Sequence, residues 1–174
     1  MSVIFKTGLI LIGFMGAGKS TVGRALNRHT GLPLVDLDEV IVQQQGRSIP
    51  QIFAEQGESA FRCYETEALR SLDSVQPRIM ATGGGIVGRP ENWPLLRQLG
   101  RLIYLRAEWP TLKSRLVGST GRPLASSEVS QEALRELLEQ RRPLYEQADL
   151  IVDTDNREVD EVVREILDRI KETE

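Results

Sequence analysis

The sequence predicts an α/β fold in which a parallel sheet carries helices on both faces. Three observations point to it. Short apolar runs alternate with helical patterns along the 174 residues, a glycine-rich loop sits between the first run and the first helical pattern, and no repeat or linker divides the chain. The first run, Gly8-Leu9-Ile10-Leu11-Ile12, has the length and glycine boundaries of a buried strand. Ser20 to about Thr30 follows as a helix, with Val22, Ala25 and Leu26 on one face and Gly31 as its stop. Further strands are expected over Pro33 to Leu37, Arg78 to Thr82, Leu102 to Leu105 and Leu150 to Val152. Helical patterns cover Ile49 to Gln56, Ser59 to Leu72, Glu91 to Leu99, Pro110 to Leu116 and Gln131 to Gln147. The last, Val159 to Ile170, sets Val162, Val163, Ile166, Leu167 and Ile170 at helical spacing. Such alternation implies parallel pairing through right-handed crossovers, with ligands held beyond the carboxyl ends of the strands.

Composition narrows the class. With 40% hydrophobic and 27% charged residues the chain reads as a single globular domain, and no apolar run nears the roughly 20 residues a membrane helix requires. The N-terminus lacks the pattern of a secretory signal, and Cys63 as the only cysteine excludes an internal disulfide and a cysteine-based metal cluster. A reducing cytoplasm is the expected compartment. A net charge of −3 argues against coating of nucleic acid or anionic membrane. Only Lys6, Lys19, Lys113 and Lys171 are lysines among the 22 basic residues, so 18 are arginines. Their planar forks suit phosphate and carboxylate, but compositional bias explains most of them equally well, so only arginines placed by a motif carry meaning.

The loop after the first strand is such a motif. Gly13-Phe14-Met15-Gly16-Ala17-Gly18-Lys19-Ser20 fits G-x-x-x-x-G-K-[ST] at every defined position and lies in the required strand-to-helix context. Glycines let successive N–H groups face a phosphate, the helix adds its positive end, Lys19 would reach the β/γ-phosphates and the Ser20 hydroxyl would ligate Mg²⁺. A nucleoside triphosphate is therefore the expected ligand. After the second strand, Asp36 and Asp38 alternate and would point to the same side if the strand persists. One could hold a metal-bound water and the other orient or deprotonate an acceptor hydroxyl; either alone could instead cap a helix at Glu39. No apolar run ending in Asp follows the third strand, so Asp36 would have to serve the metal. Gly83-Gly84-Gly85 leaves that strand at the same edge, either as a ligand-hugging turn or as a merely flexible one. Gly118-Ser119-Thr120-Gly121-Arg122-Pro123 has the composition of a lid that could deliver a guanidinium to the transferring phosphate, or of an ordinary surface loop. Arg62 and the Arg141-Arg142 pair could bind a carboxylate or form surface ion pairs.

Taken in order, the phosphate loop, Asp36-Leu37-Asp38, Phe61-Arg62 with Glu65, Gly83-Gly84-Gly85, Arg122-Pro123-Leu124 and Arg141-Arg142-Pro143-Leu144-Tyr145 resemble the shikimate kinase family over essentially the whole chain. The resemblance implies a P-loop NTPase of the nucleoside-monophosphate-kinase-like three-layer fold, with a five-stranded parallel sheet, a helical substrate-binding region at about 36–65 and a mobile lid at about 115–128, all within one domain spanning 1–174. It implies ATP-dependent phosphorylation of the 3-hydroxyl of shikimate, with ATP and Mg²⁺ as cofactors, in a cytoplasmic enzyme expected to be monomeric and to need neither nucleic acid nor membrane. Residue by residue, Lys19 with the amides of Gly16, Ala17, Gly18, Ser20 and Thr21 would hold the phosphates, and Ser20 the metal. Asp36 matches the carboxylate that reaches the metal through water, and Asp38 the one that binds shikimate hydroxyls and serves as base. Arg62 and Arg141 match the carboxylate clamp, helped by Gly84 and its neighbours Gly83 and Gly85. Arg142 matches no ligand position. Arg122 matches the lid arginine, Arg115 a position near the adenine and Arg157 the adenine loop. Ala125, where the motif often has Leu, and the undistinctive Thr154-Asp155 are the departures. Kinases for gluconate or nucleoside monophosphates, and an ATP sensor without activity, remain the rival readings. His29 and Cys63 read as ordinary helix residues, and Trp93 and Trp109 as local packing at helix starts.

Overall fold

Strand β1 (Gly8–Ile12) is buried along its whole length because it runs through the middle of a five-stranded sheet. The computed structural model describes residues 6–117 and 128–171. Its strands are β1, β2 (Leu34–Asp36), β3 (Ile79–Ala81), β4 (Gly100–Arg106) and β5 (Leu150–Asp153), in the spatial order β2-β3-β1-β4-β5 and parallel at every pairing. Parallel strands covered on both faces need apolar side chains throughout, which is why β1 reads Leu-Ile-Leu-Ile without alternation.

The order explains the layers. Helix α1 (Lys19–Thr30) carries the chain from β1 outward to β2, whereas α4 (Asn92–Leu99) carries it from β3 the other way to β4. Right-handed crossovers running in opposite directions place their helices on opposite faces. Accordingly α1 packs with the C-terminal α7 (Val159–Lys171), and α4 packs on β1 and β4 and against α3 (Ile49–Ser71). The remaining helices are α2 (Leu37–Gln45), α5 (Trp109–Val117) and α6 (Glu128–Tyr145). The apolar stripe of α7 holds as expected, with Val162, Val163, Ile166 and Ile170 buried.

Two local features bear on the site, the first of which departs from the sequence reading. The second strand ends at Asp36 rather than Leu37, and α2 starts at once, with the Asp36 side chain accepting a hydrogen bond from the Asp38 N–H at 3.0 Å. The capping role and the proximity to the sheet edge are thus both true of Asp36, and Asp38 sits on the first helical turn rather than on the strand. Helix α3 breaks at Gly57, at φ 82° and ψ 174°, between the two helical patterns read from the sequence. A reciprocal capping box of Ser48 and Gln51 starts its first half.

Candidate active site

Three neighbouring strands, β2, β3 and β1, end side by side, with Asp36 opposite Ala81 and Ala81 opposite Leu11. The Asp36–Asp38 turn, the Gly83–Gly85 segment and the phosphate loop therefore leave the sheet at one edge. Together with α3, α5, α6 and the end of β5 they line a cleft of about 850 Å³, within the range of small-molecule sites.

The nucleotide end is built by the loop itself. Gly16 and Gly18 take φ of 80° and 95°, a region L side chains avoid. The Lys19 ammonium folds back over the loop and donates to the carbonyls of Gly13 at 2.7 Å and Phe14 at 2.9 Å. Helix α1 has no side-chain cap and no acidic residue in its first turn, so its N-terminal dipole faces the cleft uncompensated by either. Ser20 and Thr21 stand exposed on that turn and line the cleft. The Arg115 guanidinium reaches across to the carbonyl of Gly16 at 3.2 Å and to that of Thr154 at 3.3 Å, tying the loop to the end of β5. Arg157 also lines the cleft, with its guanidinium on the Asp153 carbonyl at 2.9 Å and the Glu165 carboxylate at 2.6 Å.

Among the described residues no three His, Cys, Asp or Glu side chains gather to hold a metal. Nearest the phosphate loop, Ser20 and Asp36 offer a hydroxyl and a carboxylate to a metal. Such a sparse set suits Mg²⁺, which keeps several waters and takes its other ligands from phosphates.

The other end gathers charge from distant parts of the chain. Arg62, on α3, donates to the buried Glu65 at 2.7 Å and to Glu58 at 3.0 Å. Burial lowers the Arg62 pKa, but Glu65 and Glu58 more than offset it and the guanidinium stays firmly charged. Burial pushes the Glu65 carboxyl above its ordinary value, Asp38 adds to this, and Arg62 and Arg141 hold it back. The four charges thus form one electrostatic group.

The three glycines touch three different things, which the sequence reading did not foresee. A Cβ on Gly83 would come within 2.8 Å of Glu65 Oε1, one on Gly84 within 3.2 Å of the Met15 nitrogen in the phosphate loop, and one on Gly85 within 2.3 Å of the Arg62 guanidinium. Each glycine therefore makes room for a neighbouring part of the protein. Arg141 lines the same cleft from α6, whereas its neighbour Arg142 pairs with Glu108 at 3.2 Å and Glu139 at 3.2 Å, away from the role of a ligand. Arg122 and the glycine-rich segment around it, including Ala125, lie outside the described residues.

Sequence reasoning assigned no role to Glu65, whose signal was its spacing of three from Arg62 on one helix face. Nor did it single out Tyr145, whose hydroxyl donates to the Gly84 carbonyl.

Comparison with known proteins agrees with this geometry. The family model for shikimate kinase matches residues 15–171. A shikimate kinase of Geobacter sulfurreducens is 46% identical over 164 residues, covering 94% of this chain and 91% of that protein. One of Dictyoglomus turgidum is 40% identical over 172 residues, covering 96% and 99%. Among solved structures, a shikimate kinase from Acinetobacter baumannii in complex with shikimate superposes with a TM-score of 0.89 at 35% identity, covering 97% of this chain and 94% of that one. A gluconokinase from Sinorhizobium meliloti, at 22% identity and a TM-score of 0.60, shares the fold. The P-loop architecture, the cleft and these relatives agree: the chain belongs to the shikimate kinase family.

Proposed function

We propose that the two ends of the cleft divide the work of shikimate phosphorylation, the phosphate loop holding ATP and the arginine-glycine end holding the acid, with Asp38 between them. The reaction is transfer of a phosphoryl group from ATP to the 3-hydroxyl of shikimate, giving shikimate 3-phosphate and ADP. The observation that carries the division is the continuity of one cleft lined by Lys19, Asp38, Arg62 and Arg141.

Phosphoryl transfer asks the protein for positioning and charge neutralisation more than for covalent chemistry. Lys19 and the amides of Gly16, Ala17, Gly18, Ser20 and Thr21 bind the phosphates. Asp38 accepts a hydrogen bond from the shikimate 3-hydroxyl, aims it at the phosphorus and takes its proton. Arg62 and Arg141 bind the substrate carboxylate as a two-armed clamp with the Gly83–Gly85 edge. Ser20, and Asp36 through water, hold Mg²⁺, which neutralises phosphate charge when bound. Arg115 and Arg157 border the adenine; Arg122, which the family motif assigns to the transferring phosphate within a lid at about 115–128, lies outside the described residues.

The whole chain is read as one domain acting as a monomer in the cytoplasm. The large apolar side chains exposed among the described residues, Phe53, Val75 and Val117, lie in three separate parts of the chain, which supports the monomer. The net charge of −3 supports a small-molecule rather than a nucleic-acid or membrane partner.

The test is ADP release from Mg-ATP with shikimate, gluconate or CMP as acceptor. Turnover with shikimate alone is the expected result. Turnover with gluconate or CMP instead would refute the acid-end assignment, and ATP binding without turnover on any acceptor would favour a sensor.

A further inference from the structure

Tyr145 is the last residue of α6, fully buried, and its ring stacks on Tyr104 of β4 with centroids 5.0 Å apart and planes 23° from parallel. The sheet thereby fixes where the phenol points. Its hydroxyl donates to the Gly84 carbonyl at 2.5 Å, across 61 positions of sequence. Arg141 lies four positions earlier, on the same face of α6. Burial pushes the Tyr145 phenol up, while the positive charge of the nearby Arg141 guanidinium pulls it part of the way back. The phenol therefore keeps its proton for Gly84 throughout the neutral range.

The glycine segment thus meets both arginine-bearing helices at adjacent residues. The Arg62 guanidinium lies against Gly85, and the end of α6, one turn beyond Arg141, is tied to Gly84 through the phenol. Gly84 in turn lies tight against the phosphate-loop backbone, where a Cβ would stand 3.2 Å from the Met15 nitrogen. Neither guanidinium is left to find its place when the acid arrives.

We propose that Tyr145 is a positioning residue for acid recognition: its hydroxyl fastens the end of α6, one turn beyond Arg141, to the Gly84 carbonyl, sets the spacing between guanidinium and glycine edge, and so sharpens the preference for a carboxylate over an uncharged ester. This rests on the carboxylate clamp proposed above. The hydroxyl touches no reacting atom, so its loss weakens binding of the acid rather than the chemical step.

Tyr145→Phe keeps the ring and its stack and deletes only the hydroxyl. Shikimate and methyl shikimate, which lacks the negative charge, are titrated calorimetrically into wild type and variant, and kcat is measured with shikimate. The variant is expected to bind shikimate about tenfold more weakly while methyl shikimate changes by less than about twofold and kcat by less than about threefold. In an Arg141→Ala background the same change has a smaller effect on shikimate, because one of the two tethered groups is gone. Tyr104→Phe, which also keeps the stack, leaves the acid-to-ester preference unchanged.

Equal losses for acid and ester, or no loss for either, would overturn the positioning role while leaving the clamp intact. A wild type that binds acid and ester alike would refute the clamp itself and the positioning role with it.

Discussion

The two ends of the cleft are made in opposite ways. The phosphate end is a contiguous octapeptide, Gly13 to Ser20, whose lysine bonds to its own loop and whose helix starts inside the motif. The acid end is assembled from α3, the Gly83–Gly85 segment and α6, positions up to eighty residues apart, and is held by contacts such as Tyr145 to Gly84 and Arg62 against Gly85. A local site tolerates remote change; an assembled site inherits every error in the packing of its parts. Damage at the acid end should therefore spread through several groups, and damage within the phosphate loop should stay local.

The largest effect is expected at the junction. Asp38→Asn keeps the shape of the side chain but removes its charge, so kcat falls by about 10²- to 10⁴-fold while ATP affinity stays nearly intact. Retained turnover in steady-state assays would remove the base and orienting role.

Arg62→Ala comes next. It takes away an arm of the clamp and strips Glu65 of its closest cation. The shikimate requirement is expected to rise by about a hundredfold, with ATP dependence little changed. Stability changes too, and its sign follows from the raised Glu65 carboxyl. A carboxyl raised on folding favours the folded state below its ordinary value of 4.5, and that contribution is lost as pH rises through the raised value. Without Arg62 the raised value moves further up. Melting temperatures of the variant should then fall more steeply than wild type as pH rises above 4.5, and parallel curves would show that the Arg62–Glu65 pair is not what holds this carboxyl.

Gly85→Ala sharpens the comparison, because the new methyl meets only the end of a flexible arginine. The fold should survive with a melting temperature between those of wild type and Arg62→Ala, because the displaced guanidinium loosens its pair with Glu65, while shikimate binds about tenfold more weakly. An unaffected shikimate KM would mean that Arg62 does not need its place on Gly85. By contrast the Cβ of Gly100→Ala would strike the Gly8 backbone at 2.2 Å, a collision that no side-chain movement relieves.

The smallest effect lies outside both ends. Ser48→Ala removes one half of the capping box and should cost about 1 kcal/mol in denaturant unfolding, with kinetics unchanged. A changed kcat would show that the start of α3 takes part in the work of the cleft.

How much could be read from the sequence follows the same division. The strand-helix alternation, the phosphate loop and the break at Gly57 were legible because each depends on residues within a few positions of one another. Arg62, Arg141 and the three glycines were legible only through resemblance to a family; taken alone, their local spacing fitted surface ion pairs and a flexible turn equally well. Asp36 shows a third case: of its two local readings the helix cap is seen directly, and the residue that makes it is also the last of β2, at the sheet edge.

By itself the sequence determined the parallel α/β architecture, through apolar runs of strand length between amphipathic helices, and the anion-binding loop, through glycines that permit left-handed backbone beside a helix start. Only the tertiary structure decided that Gly83, Gly84 and Gly85 are spaces for Glu65, the phosphate loop and Arg62 respectively, and that Tyr145 closes onto Gly84. Excluded volume and hydrogen bonding between segments far apart in the chain leave no local periodicity, so nothing along the sequence announces them until the sheet has brought its strand ends together.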